Sequence, residues 1–403
     1  MILVSKIKIK NFKTFGDIDL DLNEFNVLVG ACGSGKTNFI QIFELLNDIV
    51  SHGFKDAIEK HGGKYVKNFN LLENNQKSCI GVKFSVNNKY LVLLENILLS
   101  FNSIKYGIYF NFNENECKVQ KEIVELDCNV EIDNKKIENQ IIIKNDNGEI
   151  KAEFQEDMED LKISKIIPKD LITIVSENFK KENIPIINSA LATIPIKWAD
   201  LFKDISVYDF DPKVCKNINV LSNEKLTKYG KNLPVVLKNI LNDSHNKKKF
   251  LNYYTNILPY VKDVNVEKIL DEERIIMIIE KYNNVKIPSP FISDGTSTIM
   301  AILIALYFQN SKIILIEEPE RHIHPSLIYQ LSLMMEYAGK QVIITTHSPE
   351  FLKYSKLENI LFIYRDDDGF SNIDRIGENK VVEPYIEEFG VDRVFVDDYL
   401  GLQ

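Results

Sequence analysis

The octapeptide Gly30-Ala31-Cys32-Gly33-Ser34-Gly35-Lys36-Thr37, directly after the apolar run Phe25-Asn26-Val27-Leu28-Val29, constrains the fold more than any other feature of the chain. A buried strand ends there, a glycine-rich loop turns, and a helix begins at about Lys36. Glycines let backbone N–H groups crowd around phosphate oxygens, and the helix N-terminus adds its positive dipole end. In such a loop the lysine ammonium (Lys36) reaches the β- and γ-phosphates, and the following hydroxyl (Thr37) ligates Mg2+. The order strand, loop, helix is that of a P-loop α/β fold, and the ligand it calls for is a nucleoside triphosphate.

The chain has 403 residues, enough for two or three domains with sizeable cores. Its 45% hydrophobic and 27% charged content is that of an ordinary globular protein. No apolar run reaches the ~18–20 residues of a membrane span, and the N-terminus reads as a strand with no signal-peptide pattern, so a cytoplasmic protein without a membrane partner is expected. Five cysteines without CxxC spacing suggest neither a zinc site nor a disulfide framework. A net charge of −9 argues against wholesale wrapping of nucleic acid. Lys6, Lys8 and Lys10 nevertheless share one strand face, with Lys13 just beyond. The favoured reading is a solvated face that also protects a sheet edge; a local nucleic-acid patch is the alternative.

Along the chain, Ser5–Asn11, Asp17–Leu22 and Phe25–Val29 read as strands, and residues 39–50 have helical apolar spacing. From about 78 to 153 alternating patterns separated by turn signals indicate an antiparallel β lobe. Helical spacing at 233–241 and 250–258 marks a mainly helical insertion. After about 285 the pattern returns to α/β: helix 296–309, strand 312–316, helix 326–338, strand 341–345, then a hairpin around Asp366-Asp367-Asp368-Gly369. The expected division is an N-terminal lobe of residues 1–154, an insertion of 155–284 and a C-terminal lobe of 285–403.

A second chemical motif is Ile313-Ile314-Leu315-Ile316-Glu317-Glu318, four apolar residues ending in two carboxylates. A buried parallel strand would hold that acidic pair at its C-terminal end, where α/β sheets bind ligands. In a Walker B motif the first acid holds Mg2+ through water and the second is the general base or positions the attacking water. Glu317 stands where Asp is commoner. Pro319-Glu320-Arg321-His322-Ile323-His324-Pro325 follows, Ile343-Ile344-Thr345-Thr346-His347-Ser348-Pro349 is a further strand ending in a histidine, and Phe291-Ile292-Ser293-Asp294-Gly295-Thr296 lies at a helix start.

These pieces, in this order, resemble the ABC-type ATPases of the RecF/SMC/OLD branch, and above all its stand-alone "AAA family" members with SDGT, EEPExHLHP and TTHSP patterns. The likeness covers residues 1–50 and 285–365 well. It covers 205–260 more loosely, through Tyr208-Asp209-Phe210-Asp211-Pro212 and Gly230-Lys231-Asn232-Leu233. It implies an ABC-type head of α/β class, ATP and Mg2+ as cofactors, and a homodimer or higher oligomer that sandwiches nucleotide. The nucleotide set would be Gly30 to Asn38 (Gly30, Ala31, Cys32, Gly33, Ser34, Gly35, Lys36, Thr37 and Asn38) together with the partner copy's signature Ser293, Asp294 and Gly295. Metal would fall to Thr37 and Glu317, and hydrolysis to Glu318 and the switch histidine His347. Phe12 and Phe15 could flank adenine, though a core role is favoured. His322 and His324 read as shaping a loop that faces a partner, since a metal pair would lack a third ligand. Gln76 is the Q-loop candidate. The short C-terminal stretch lacks the motif context of a Toprim nuclease, so no intrinsic nuclease is expected.

The function implied is hydrolysis of Mg-ATP coupled to a nucleic-acid-linked process, DNA repair or anti-phage defence, beside a separately encoded nuclease or effector. An ATP-binding scaffold for a toxin or nuclease, with little hydrolysis, is the first alternative. The energy subunit of a membrane transporter is the second, which the SDGT signature and the inserted region disfavour.

Overall fold

The computed structural model describes residues 2–68, 77–94, 97–113, 116–132, 135–158, 161–217, 225–269, 274–282, 284–378, 380 and 383–397. Gln76, the Q-loop candidate, lies outside them. The chain is a mixed α/β protein with two compact units, each assembled from separated stretches: Met1–Glu24, Cys32–Ile205 and Ile363–Ile373 in the first; Phe25–Ala31, Ser206–Phe362 and Asp374–Gln403 in the second.

The first unit begins with β1 (Leu3–Phe12) and β2 (Phe15–Asp21), which pair antiparallel. After β3 (Phe25–Val29), which belongs to the second unit, come α1 (Lys36–His52) and α2 (Phe54–Lys60). The β lobe follows as an antiparallel meander: β4 (Ser78–Leu94), β5 (Ile97–Asn113), β6 (Glu116–Ile132), β7 (Lys135–Asp146) and β8 (Glu149–Phe154). The sequence predicts this lobe, and the alternating burial of β6 and β7 is why: one face packs and the other meets solvent. β1 joins the meander by pairing with β4 as well as with β2, so it is an internal strand and not the edge that its lysines suggested. Helices α3 (Lys169–Glu182) and α4 (Asp200–Lys203), together with residues 363–373, complete the unit. Its core is aromatic: Phe202 meets Phe84 and Tyr106 edge-on, at 5.0 and 5.8 Å between ring centres, and Tyr106 lies 5.5 Å from Trp198.

The second unit carries the parallel strands. β9 (Ile205–Tyr208), α5 (Pro212–Lys216), α6 (Leu233–Asn242) and α7 (Ser244–Ile257) lead to a small antiparallel sheet of β10 (Val261–Lys268), β11 (Arg274–Glu280) and β12 (Lys286–Pro288). Residues 155–284, expected to be mainly helical, thus hold α3 to α7 together with β9, β10 and β11. Then come α8 (Asp294–Tyr307), β13 (Ile313–Glu317), α9 (Pro325–Glu336), β14 (Gln341–Thr346), α10 (Pro349–Lys353) and β15 (Ile360–Arg365). β13 pairs parallel with β14, β14 with β3, and β3 with the start of β15. These strands are apolar almost throughout because both faces are covered. α8 is buried on nearly every side, which explains why Ile299–Leu306 has no polar face. β16 (Ser371–Arg375), α11 (Glu383–Phe389) and α12 (Val391–Val396) end the chain. Among the described residues no helix is long and apolar enough to cross a membrane.

Candidate functional site

The chain leaves β3 at Val29, and Gly30 and Ala31 follow at the strand's C-terminal end. From Cys32 the loop belongs to the first unit. Gly33 and Gly35 adopt φ of +79° and +116°, the left-handed region that glycine enters at little cost. A Cβ on Gly35 would lie 2.5 Å from the Ser371 hydroxyl oxygen and 2.8 Å from that of Thr14, so no side chain fits there. The loop's carbonyls are held from outside: Ser371 Oγ donates to Ser34 O, and Arg365 Nε donates to Gly33 O at 2.9 Å. Asn38 Nδ2 donates to Thr14 Oγ1 at 3.0 Å just past the loop. Helix α1 starts at the buried Lys36 with no side-chain cap, which suits its N-terminus to an anion. The Ser34 hydroxyl is buried without a hydrogen-bond partner. Glycine geometry, an uncapped helix start, a lysine and an orphaned hydroxyl fit a triphosphate. Cys32 is an exposed free thiol in this loop.

In the second unit, register brings the other candidates together. Glu317 is level with Thr345, Thr345 with Leu28, and Thr346 with Val29, so β13, β14 and β3 end side by side. Glu318 follows with φ +42°, unusual for a residue with a Cβ, and its amide donates to Thr345 O at 2.9 Å. Such a conformation costs on the order of 1–3 kcal/mol and persists only where neighbours enforce it. The Glu318 carboxylate faces His347 Nε2 at 3.5 Å through Oε1. Through Oε2 it accepts from Arg321, Nε at 3.3 Å and Nη2 at 3.1 Å. Arg321 Nη1 donates to Asp209 Oδ1 at 3.0 Å. Glu317 has the Lys228 ammonium 3.8 Å away. Glu320 is turned inward: Oε1 accepts from Thr346 Oγ1 at 2.7 Å and from the His347 amide at 3.1 Å, and Oε2 is buried without a partner. Burial pushes the Glu320 carboxyl above the usual range, against those two hydrogen bonds. Among the described residues no three potential metal ligands cluster. Nucleotide-bound Mg2+ needs no such cage, since phosphates and waters fill most of its shell.

Ser293, Asp294 and Gly295, the signature candidates, open α8 in the same unit. Ser293 caps the helix, its Oγ accepting from the Thr296 amide at 3.2 Å. A hydrogen bond from Lys216 holds the Asp294 carboxyl below its usual range, and Lys216 also donates to Ile292 O at 2.9 Å. A Cβ on Gly295 would lie 2.6 Å from the His322 carbonyl, so the turn after Glu318 passes too close for any other residue. His322 Nδ1 is 3.8 Å from Asp294 Oδ2, and His324 caps α9 by accepting from the Ser326 amide at 3.2 Å. Among the described residues neither histidine belongs to a cluster of three potential metal ligands.

Phe12 and Phe15 are fully buried, in keeping with the favoured core role. The lysine face is an ion-pair ladder: Lys6 meets Asp19 at 2.7 Å and Lys10 meets Asp17 at 3.2 Å across β1–β2. Lys13 is not part of that face; its ammonium is bonded to Gln41 and burial lowers its pKa. Sequence reasoning gave no role to Thr14, Lys216, Lys228, Arg321, Arg365 or Ser371, and met Asp209 only inside a loose motif. Single charges and hydroxyls in connecting segments carry no spacing signal, and only the fold shows what they touch.

A family model described as "AAA domain, putative AbiEii toxin, Type IV TA system" matches residues 171–353. That span takes in Ser293–Gly295, Glu317–Glu318 and His347, and begins after the P-loop. No curated protein matches the chain. Similar solved structures include an SmcHead bound to the C-winged helix domain of ScpA (12% identity, 94% of this chain and 99% of that chain, TM-score 0.48). Another is the Smc head domain with an extended coiled coil bound to the C-terminal domain of ScpA from Pyrococcus furiosus (12%, 96% and 100%, 0.47). A third is the SMC head domain from Thermotoga maritima (11%, 93% and 98%, 0.44). Residues 171–353 are thus similar to an AAA domain, and the chain is a mixed α/β protein.

Proposed function

We propose that the chain is a Mg-ATP-dependent ATPase of ABC type that dimerises around ATP and serves a nucleic-acid-linked process, DNA repair or anti-phage defence, with a separate effector protein. One observation carries the reading most: parallel strands β13, β14 and β3 end side by side, bearing the Glu317–Glu318 pair, His347 and the start of the phosphate loop. Gly30 to Asn38 would hold the nucleotide, with Lys36 on the phosphates and Thr37 and Glu317 toward Mg2+. Mg-ATP, when bound, supplies an electrophilic γ-phosphorus. Glu318 would orient and deprotonate the attacking water, and His347 would sense the phosphate from the next strand. Ser293, Asp294 and Gly295 would cap the nucleotide of a second copy, as the resemblance implies. Segment 155–284 would convey nucleotide state to the effector between the lobes of 1–154 and 285–403.

The matched family's description favours a second reading, an ATP-binding switch for a toxin or nuclease that hydrolyses little. Turnover by the purified chain separates the two. The dimer is tested by sedimentation of Glu318→Gln with and without Mg-ATP. Dimer formation only with nucleotide is expected, and a monomer with ATP bound overturns the sandwich. Mixing Lys36→Ala with Ser293→Arg should restore part of the activity, because one of the two composite sites in the heterodimer is then intact.

A further inference from the structure

Arg321 lies on a turn closed by two backbone bonds, its own amide to Glu318 O at 3.0 Å and the Ile323 amide to Glu320 O at 2.9 Å. The guanidinium spans two carboxylates: Nε and Nη2 on Glu318 Oε2, Nη1 on Asp209 Oδ1. Asp209 follows directly on β9, the strand beside β13, and its amide donates to Lys228 O at 2.9 Å. The ammonium of that same Lys228 faces Glu317. The stretch after β9 therefore sets the Lys228 ammonium near Glu317 and, through Asp209, anchors the guanidinium that faces Glu318. These side chains are a quarter to two-fifths exposed, apart from Glu317 at 11%. Ion pairs that open to solvent add little stability, so stability alone does not account for a guanidinium shared between Glu318 and a carboxylate 112 positions away. Orientation does. A planar fork on one oxygen fixes the rotation of a carboxylate and leaves the other oxygen, Oε1, facing His347.

We propose that Asp209 is a positioning residue for hydrolysis: it anchors Arg321, and Arg321 holds Glu318 in the orientation from which it acts. The inference rests on the ATPase reading and adds to it a residue from outside the Glu317–Glu318 motif. Loss of Asp209 leaves Nη1 without its carboxylate, the fork swings, and Glu318 loses its fixed rotation. Nucleotide binding, which falls to the phosphate loop, is untouched.

The test uses the full chain and two readouts, single-turnover ATP hydrolysis and affinity for a fluorescent ATP analogue, in Asp209→Ala, Asp209→Asn, Arg321→Ala, Arg321→Lys and the Asp209→Ala/Arg321→Ala double variant. Glu318→Gln is the reference. Asp209→Ala should slow turnover by about 10- to 100-fold, the scale of a misplaced reacting group, with nucleotide affinity unchanged. Asp209→Asn, which keeps an acceptor, should retain an intermediate rate. Arg321→Lys should not rescue, because an ammonium cannot span both carboxylates. The double variant should be no slower than Arg321→Ala alone. If Glu318→Gln abolishes turnover while Asp209→Ala leaves it intact, or if the two losses multiply, the positioning role is overturned and the ATPase reading stands. If Glu318→Gln turns over like wild type, the ATPase assignment of Glu318 falls, and this inference with it. A parallel loss of affinity and thermal stability in Asp209→Ala, unrelieved in Asp209→Asn, would mark a merely structural contact and also overturn it.

Discussion

Two arrays of opposite charge in this molecule use the same chemistry to different ends. On β1 and β2 lysines and aspartates alternate across an antiparallel pair, Lys6 with Asp19 and Lys10 with Asp17, with side chains of the first pair 44% and 48% exposed. At the ends of β13 and β14, Glu317, Glu318 and Glu320 meet Lys228, Arg321 and Thr346, and the Glu317 side chain is only 11% exposed. The ladder is built by local register within one hairpin. The acid cluster draws on stretches as far apart as Asp209 and Arg321. A ladder in solvent costs little to make and contributes little. A buried Glu320 carboxyl held above its usual range and the left-handed Glu318 backbone do cost stability, and such costs are often found at functional sites.

The sharpest separation should come from Glu318→Gln. It preserves shape and removes the proton acceptor, so turnover should fall by about 10²–10⁴-fold while ATP still binds. Phosphate release under single-turnover conditions measures it. Unchanged turnover would make the acid cluster as inert as the ladder. Lys36→Ala comes next. Removing a nearly buried ammonium from the phosphate loop should weaken ATP binding by about 2–4 kcal/mol, by analogy with losing a buried charge partner. Calorimetric titration showing wild-type affinity would contradict the loop's assignment.

What the sequence disclosed follows the same division. The glycine-rich loop around Lys36, β3, β13, β14, Ser293–Gly295 and His347 lie in contiguous motifs that spacing alone makes visible, and the β lobe declares itself by alternation. Asp209, Lys228, Arg365 and Ser371 were illegible because each acts through a partner tens to hundreds of positions away. The lysine face is legible in its periodicity and its solvation, and misleading only about the sheet edge. Alternation showed three ammonium groups on one side, whereas the aspartates opposite them, and the fact that β1 is internal, required strand pairing to see. Gly295 was read as part of a signature; its tightest constraint is the His322 carbonyl.

Glu320 offers a smaller test with a defined sign. Burial raises its folded-state pKa above the unfolded value. The folded chain therefore binds more protons than the unfolded one between those two pKa values, and this group's contribution to stability falls as pH rises through that window. Glu320→Gln keeps an acceptor for Thr346 and the His347 amide and removes the titration. Thermal midpoints measured from about pH 4 to pH 7 should decline less with pH in the variant than in wild type. A steeper decline would mean that the group is held as a carboxylate, as the ladder's are.

The smallest effect belongs to the ladder itself. The Lys6 side chain is partly exposed, and its raised pKa comes first from the hydrogen bond to Asp19. A double-mutant cycle on Lys6 and Asp19 should return a coupling of about 0.2–1 kcal/mol, as for other exposed pairs, and it should shrink as salt is raised past the point where the Debye length falls below ~8 Å. Lys8 sharpens the case. Its register partner is Asp19, whose carboxylate already meets Lys6, so Lys8 is the ammonium on this face best placed to meet a phosphate. If the ladder neutralises itself, reversing Lys8 and Lys10 to glutamate should leave duplex DNA affinity nearly unchanged and shift the slope of log affinity against log salt by less than about one unit, the share of a single phosphate contact. A steep loss of binding, together with a flatter salt dependence, would show the opposite. The face would then be a phosphate-reading surface whose aspartates set its affinity low, and the contrast with the acid cluster would be between two binding sites of opposite charge.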